Sequence, residues 1–165
     1  MNINSIHTVY FLGVGGIGMS ALARYFLIKG CKVYGYDKTK TSLTEELEAE
    51  GIVVHYEENE ASIPNVVKNN EEETLVVYTP AIPKDNKEWV YLQQTRIKLY
   101  KRSEVLGLIS QEYFTIAVAG THGKTTTSSM IAHVLNECGV KCNAFLGGIS
   151  LNFNSNLLLN EDAKF

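Results

Sequence analysis

With 165 residues, 45% of them hydrophobic and 20% charged, the chain has the composition of a folded globular protein with room for one full core and part of a second. A formal charge of -3 leaves no electrostatic footprint for nucleic acid, so an anionic ligand must be captured locally by backbone amides and a few cations. No run approaches the roughly 18 to 20 apolar residues of a membrane span, and the opening MNINSIHTVYFLG lacks a basic segment ahead of an apolar one, so a cytoplasmic location with no membrane partner is expected.

In chain order, β-rich apolar runs predict strands near Thr8 to Leu12, Lys32 to Tyr36, Ile52 to His55, Leu75 to Tyr78, Ile97 to Tyr100 and Thr115 to Ala119. The intervals between them are helix-sized, the alternation of a parallel sheet with crossover helices. Ile17 to Lys29 carries Leu22, Tyr25, Phe26 and Lys29 at helical spacing and stops at Gly30. Ser42 and Glu45 have capping-box spacing, with Leu43 and Leu47 as the buried stripe and Gly51 as the stop. Asp85 is placed to cap a helix containing Trp89 and Leu92, and Ser103 one over Glu104 to Ser110. Tyr25, Phe26 and Trp89 read as core.

A boundary is expected between Ser110 and Tyr113, giving a first domain over residues 1–110 and a second over 113–165. The second begins with a strand, a helix from Lys124 to about Cys138, Gly139 as its stop and a strand in VKCNAFLGG. The tail NFNSNLLLNEDAKF shows no further helix or strand, so a domain interrupted before its sheet is complete is expected. Cys31, Cys138 and Cys142 lack C-x-x-C spacing and read as buried or half-buried thiols. His7, His55 and His133 lack a second ligand at metal spacing and read as structural.

Two glycine-rich turns carry the chemistry. Gly13-x-Gly15-x-x-Gly18 follows a strand and opens a helix, the context in which backbone approaches a diphosphate at the positive end of a helix dipole. Asp37, at the end of the second strand, stands where a carboxylate accepts ribose hydroxyls. The second turn, Gly120-Thr121-His122-Gly123-Lys124-Thr125-Thr126, ends as G-x-x-x-x-G-K-[ST] does, although Val118 holds the place of the first glycine. Lys124 would neutralise phosphate charge and the Thr125 hydroxyl would bind Mg²⁺. His122 either shapes this loop or touches a phosphate, the loop role being favoured.

GVGGIGMSALA, YTPAIPKDN, YKRSEVLGLI and AVAGTHGKTTTSSMIAHVL, in this order, make the chain resemble the Mur ligases over His7 to Gly148, and most closely their alanine-adding branch. The family more often shows GSD at Gly35-Tyr36-Asp37 and SSAI in place of the Tyr78 to Ile82 run, but Asp37 and the pair Ala81-Ile82 are retained. The resemblance implies a Rossmann-like domain holding a UDP-sugar, then the start of a P-loop α/β domain holding ATP and Mg²⁺, with a third domain closing over both. It implies a peptidoglycan-precursor ligase in which ATP activates the lactyl carboxylate of UDP-N-acetylmuramate as an acyl phosphate and the amine of L-alanine displaces phosphate. Gly15, Gly16, Ile17, Gly18 and Asp37 would bind UDP, with Thr79, Ala81, Ile82, Arg102 and Ser103 lining the same crevice. Gly120 to Thr126 would hold ATP, with Lys124 catalytic. The family's acidic metal ligands would fall just beyond Phe165, so the chain alone is expected to bind UDP-sugar without turnover.

Four other readings stay open at this stage, one of them a non-catalytic nucleotide-binding module. The first turn with Asp37 also suits NAD, which leaves the second turn unexplained; a generic P-loop NTPase leaves the first unexplained. A ligase attaching a preformed tripeptide to the same UDP-sugar would share both. Oligomeric state has no signature in the sequence.

Overall fold

In the computed structural model, which describes residues 3–160, 162, 163 and 165, the chain forms two compact units, Met1–Leu106 and Gly107–Phe165. The division falls within a helix, a few residues before the SQEY segment at 110–113 where the sequence suggests a break.

Unit 1 is built on five parallel strands, β1 (Thr8–Leu12), β2 (Lys32–Tyr36), β3 (Val53–His55), β4 (Thr74–Tyr78) and β5 (Lys98–Lys101), in the order β3-β2-β1-β4-β5. The central strand β1, TVYFL, is buried at every position, as a parallel strand covered on both faces must be, and β4 is buried over its first four residues. β3, at an edge, leaves Val53 exposed. The register runs Leu12 against Tyr36 on one side and against Tyr78 on the other, so the strand ends align.

Between the strands lie α1 (Ile17–Ile28), α2 (Ser42–Glu50), α3 (Asn65–Asn69) and α4 (Lys87–Gln93), and α5 (Arg102–Ser110) follows β5. Alternation along β1 sends Phe11 toward Phe26 of α1, while Tyr10 and Leu12 join Tyr36, Ile63, Val67, Val76, Leu92 and Ile97 in a core cluster. Trp89 is only partly buried and packs against that cluster, with its ring 4.5 Å from Tyr78. Arg24 of α1, itself buried, pairs through Nε and Nη2 with Glu50 and reaches Glu46, binding α1 to α2.

Several helix starts differ from the sequence reading by one residue. Thr41, not Ser42, caps α2; its hydroxyl accepts from the Thr44 N–H while the Thr44 hydroxyl accepts from the Thr41 N–H, so threonine does the work expected of Glu45. Leu43 is only half-buried and Thr44 and Leu47 are the inward residues. Asn86 rather than Asp85 caps α4 through the Trp89 N–H. α5 begins at Arg102, and the side chain that reaches back is Glu104, accepting from the Lys101 N–H, rather than Ser103.

Unit 2 departs further. It contains α6 (Lys124–Glu137), β6 (Ala144–Ser150) and β7 (Ser155–Leu158), and β6 and β7 pair antiparallel. Residues 115–119 are not a strand: Phe114 and Ile116 are 71% and 48% exposed, and no described segment pairs with them. A parallel strand exists only through neighbours that take up its backbone groups, so an apolar run is insufficient. β7 lies in the tail expected to be irregular; Asn154, at φ 49°, supplies the left-handed residue of the turn that returns the chain to β6. Of the three thiols, Cys31 is half-buried and Cys142 buried, but Cys138, at the C-cap of α6, is exposed, correcting the expectation for that residue. Among the described residues no helix is long and apolar enough to cross a membrane.

Candidate functional site

Because the strands of unit 1 are parallel and in register, the segments following β1, β2, β4 and β5 emerge at one edge of the sheet. The strand order reverses at β1 and β4, which opens a crevice at the carboxyl edge. Gly13, Asp37, Thr79 and Arg102 each begin just after one of these strands.

The Tyr36 carbonyl accepts from both the Gly13 N–H (2.8 Å) and the Val14 N–H (3.1 Å), pinning the turn to the end of β2. The Gly15 N–H donates to Asp37 Oδ2 at 2.8 Å, and the Thr39 N–H donates to Oδ1 at 3.2 Å. Both carboxylate oxygens are thus fixed by backbone. A Cβ on Gly15 would fall 2.9 Å from Asp37 Oδ2 and 2.8 Å from Thr44 Cγ2, so any side chain there collides with the acidic residue and with α2. At Gly18 a Cβ would stand 2.6 Å from Arg102 Nη1: the guanidinium lies against the first turn of α1 at the one position there that has no side chain. Gly16 is the N-cap of α1 and no side chain caps that end, leaving the helix dipole facing the crevice.

Of the other residues expected here, Thr79 and Ile82 lie against Gly13, whose Cβ would be 2.8 Å from Thr79 Cγ2 and 3.5 Å from Ile82 Cδ1. Ala81 is exposed on the same turn, its N–H directed at the Thr79 hydroxyl. Ile17 is at the surface of the α1 start, and Ser103 is exposed in the first turn of α5. Sequence spacing marks neither Thr44 nor the Tyr36 carbonyl as part of this turn. Thr44 sits seven residues past Asp37 on another element, so only the packing of α2 against the turn reveals it.

In unit 2, Gly123 is the N-cap of α6 at φ 77°, a left-handed conformation that turns the loop into the helix. Lys124 Nζ donates to the Gly120 carbonyl at 2.6 Å and the Thr121 carbonyl at 3.2 Å, folding back across its own loop. Thr121, His122 and Thr126 are exposed around it. The Thr125 hydroxyl faces β6, where a Cβ on Gly147 would be 2.7 Å from Oγ1. These features fit a polyphosphate: an ammonium, a helix start and a hydroxyl gather on one exposed turn. Among the described residues no group of three or more His, Cys, Asp and Glu is placed to hold a metal ion. His7 and His133 lie at the surface beside Glu73 and Glu137, whereas His55 enters a buried network.

Parallel sheet, glycine turn and carboxylate at the end of β2 make unit 1 a Rossmann-like α/β unit. Residues 8–114 match the Mur ligase family, catalytic domain. UDP-N-acetylmuramate–L-alanine ligase of Christiangramia forsetii is 52% identical over 98% of the chain and 36% of its own length, and that of Parabacteroides distasonis 54% identical over the whole chain and 36% of its own. The crystal structure of UDP-N-acetylmuramate-alanine ligase MurC from Thermotoga maritima superposes with a TM-score of 0.80 at 33% identity, over 93% of this chain and 35% of that one. That of UDP-N-acetylmuramate:L-alanyl-gamma-D-glutamyl-meso-diaminopimelate ligase from Neisseria meningitides gives a TM-score of 0.85 at 25% identity, over 96% of this chain and 48% of that one.

The chain therefore belongs to the Mur ligase family. It spans about a third of the length of the curated alanine ligases it matches.

Proposed function

We propose that the chain carries the UDP-sugar crevice and the ATP phosphate loop of a cytoplasmic ligase that joins L-alanine to the lactyl carboxylate of UDP-N-acetylmuramate in peptidoglycan precursor synthesis. The observation that carries the reading is the Gly15–Asp37 contact at the carboxyl edge of unit 1 combined, in one chain, with the Gly120 to Thr126 turn at the start of α6. Two separate diphosphate-bearing ligands need two such turns.

In unit 1 the start of α1 from Gly16 to Gly18, with its helix dipole, takes the diphosphate, Asp37 accepts the ribose hydroxyls, and Arg102, held over Gly18, adds positive charge. Thr79, Ala81, Ile82 and Ser103 lie on the two segments that border the crevice. In unit 2 the loop amides and Lys124 take the ATP phosphates and the Thr125 hydroxyl takes Mg²⁺. ATP supplies the activation of the carboxylate as an acyl phosphate, from whose acyl carbon the amine of L-alanine displaces inorganic phosphate. The protein's contribution is alignment and charge neutralisation rather than a covalent bond to enzyme. For that, Lys124 must leave the carbonyls of Gly120 and Thr121 and turn to phosphate.

Alanine rather than a tripeptide as the joined group is supported by identities of 52% and 54% to alanine ligases against 25% to the tripeptide ligase. Since the chain spans about a third of those relatives, turnover belongs to a protein of their length, and this chain alone binds UDP-sugar without product.

Parallel calorimetric titrations with UDP-N-acetylmuramate, UDP, ATP and NADH test the reading. Heat with the two uridine nucleotides and none with NADH is expected; a response to NADH alone, mapped to Gly13 to Gly18 by amide shifts, would overturn it.

A further inference from the structure

Three titratable side chains meet in the core of unit 1, away from the glycine turn. The Tyr10 hydroxyl on β1 sits between His55 Nε2, 2.8 Å away, and Glu88 Oε2, with which it makes a short hydrogen bond. His55 ends β3, and its Nδ1 faces the Glu57 carbonyl at 3.1 Å. Glu88, in the first turn of α4, is fully buried; Oε1 accepts the Asn59 N–H at 3.3 Å and lies 3.7 Å from His55 Nε2.

Counting protons restricts this cluster. A carbonyl only accepts, so His55 Nδ1 carries a hydrogen, and the Tyr10 hydroxyl has one hydrogen for two neighbours. With Glu88 protonated and His55 neutral, Glu88 donates to Tyr10 and Tyr10 donates to Nε2, and every contact is made. The same count holds if the proton moves along the chain, His55 donating to Tyr10 and Tyr10 to the Glu88 carboxylate. Removing one proton leaves Tyr10 between two acceptors beside a buried, uncompensated charge. Adding one leaves the tyrosine hydrogen with no acceptor. The network is complete with one proton shared between Glu88 and His55.

The other charged groups around it are Glu57 and Glu58 beside β3, and Lys68 of α3; the Tyr36 hydroxyl of β2 is also near. Burial, reinforced by Glu58, pushes the Glu88 carboxyl up to about 7, against the contrary pull of the Tyr10 and Asn59 hydrogen bonds and of Lys68. Burial likewise holds the His55 imidazole below its usual value, and puts the Tyr10 phenol well above its own. The neutral form, Glu88 protonated, is the one this setting favours.

This cluster reaches the crevice through the backbone. The His55 carbonyl accepts the Asp37 N–H at 3.1 Å, and the His55 ring lies 5.5 Å from that of Tyr36, whose carbonyl holds Gly13 and Val14. We propose that Glu88, Tyr10 and His55 are positioning residues for the nucleotide crevice: they share one proton, and with it in place the end of β3 holds Asp37 against the glycine turn. The proposal rests on reading Asp37 as a ligand of the UDP-sugar.

Two measurements on the chain test it, each on wild type, Glu88→Gln and Tyr10→Phe, with thermal unfolding confirming that all three fold. The first, without ligand, follows the His55 ring nitrogens and the Asp37 amide by NMR from about pH 5.5 to 8.5. Wild type should show a protonated Nδ1, and both signals should move together with a midpoint near that of Glu88; the glutamine, a permanent donor to Tyr10, should abolish the step. The second is calorimetry with UDP-N-acetylmuramate over the same range. Wild-type affinity should fall by a factor of about ten as pH rises through the midpoint, Glu88→Gln should keep the acid-side affinity throughout, and Tyr10→Phe should be weak at every pH. An Asp37 amide step that persists in Glu88→Gln overturns the proposal, as does an unprotonated Nδ1. Absence of UDP-sugar binding at all pH values instead refutes the functional reading, while the NMR arm still decides the shared proton.

Discussion

Gly15 and Asp37 are 22 positions apart in sequence, yet the Gly15 N–H donates to Asp37 Oδ2 at 2.8 Å and a Cβ on Gly15 would come within 2.9 Å of that same oxygen. Gly15→Ala should therefore displace Asp37 and α2 together. The expected cost is about 1 to 3 kcal/mol of stability from overpacking, with UDP-sugar affinity reduced at least tenfold. Gly107→Ala, a helical site where a Cβ meets nothing within 4 Å, is the control and should stabilise by up to about 1 kcal/mol. Urea unfolding and calorimetry on both variants decide it; an unaltered affinity in Gly15→Ala would separate this contact from binding.

Asp37→Ala removes the acceptor but leaves the turn room to relax. UDP-sugar binding should weaken by about 1 to 3 kcal/mol, the cost of charged hydrogen bonds left unmade. Unchanged affinity by calorimetry would mean that the ribose is held elsewhere.

Lys124 Nζ donates to the Gly120 and Thr121 carbonyls of its own loop, which the proposed function assigns to ATP rather than to the UDP-sugar. In a protein of the relatives' full length, Lys124→Ala should lower turnover by about two orders of magnitude or more, as expected for a group acting on charge that shifts during transfer, with UDP-sugar affinity retained. Steady-state kinetics beside calorimetry checks this, and equal losses in both would show that the two turns serve one ligand.

Gly147 controls the Thr125 hydroxyl from β6, since a Cβ there would lie 2.7 Å from Oγ1. Gly147→Ala should turn the hydroxyl away and weaken Mg²⁺-dependent ATP binding by about tenfold, the scale of one lost charge-assisted contact. UDP-sugar binding should not change. Equilibrium binding of ATP with and without Mg²⁺ in a protein of the relatives' length separates the outcomes.

Stability should carry the mark of Glu88. Its carboxyl is raised to about 7 from an ordinary 4.5, so the folded chain keeps a proton that the unfolded chain releases; the stabilisation is complete below the ordinary value and is lost as pH rises through about 7. His55, held low, acts in the opposite sense as pH falls below its ordinary 6.5. Glu88→Gln removes the first contribution. Relative to wild type, the variant should gain stability from about pH 5 to 7.5, by at most about 1.4 kcal/mol per unit. A difference that stays constant across urea unfolding curves would place the Glu88 proton elsewhere.

Much of unit 1 is legible along the chain because its signals are local. Consecutive apolar residues in TVYFL and TLVVY mark strands buried on both faces, Gly30 and Gly51 mark helix stops, and the glycine spacing before α1 marks the turn. The Lys124 helix and its loop are equally local, which is why α6 starts at the residue expected. What sequence spacing could not decide depends on partners. Residues 115–119 have strand composition but, among the described residues, no neighbour to pair with, whereas Ser155–Leu158, polar at its start, becomes a strand because a turn at Asn154 lays it against β6. Arg102 covers Gly18, and Thr44 abuts Gly15, only once helices pack on the sheet edge. Nothing in the sequence singles out Glu88, and His55 reads as structural, until Tyr10, 78 and 45 residues away respectively, joins them in the core. Burial and hydrogen bonding between distant residues set their protonation, and those are properties of the packed chain rather than of any stretch of it.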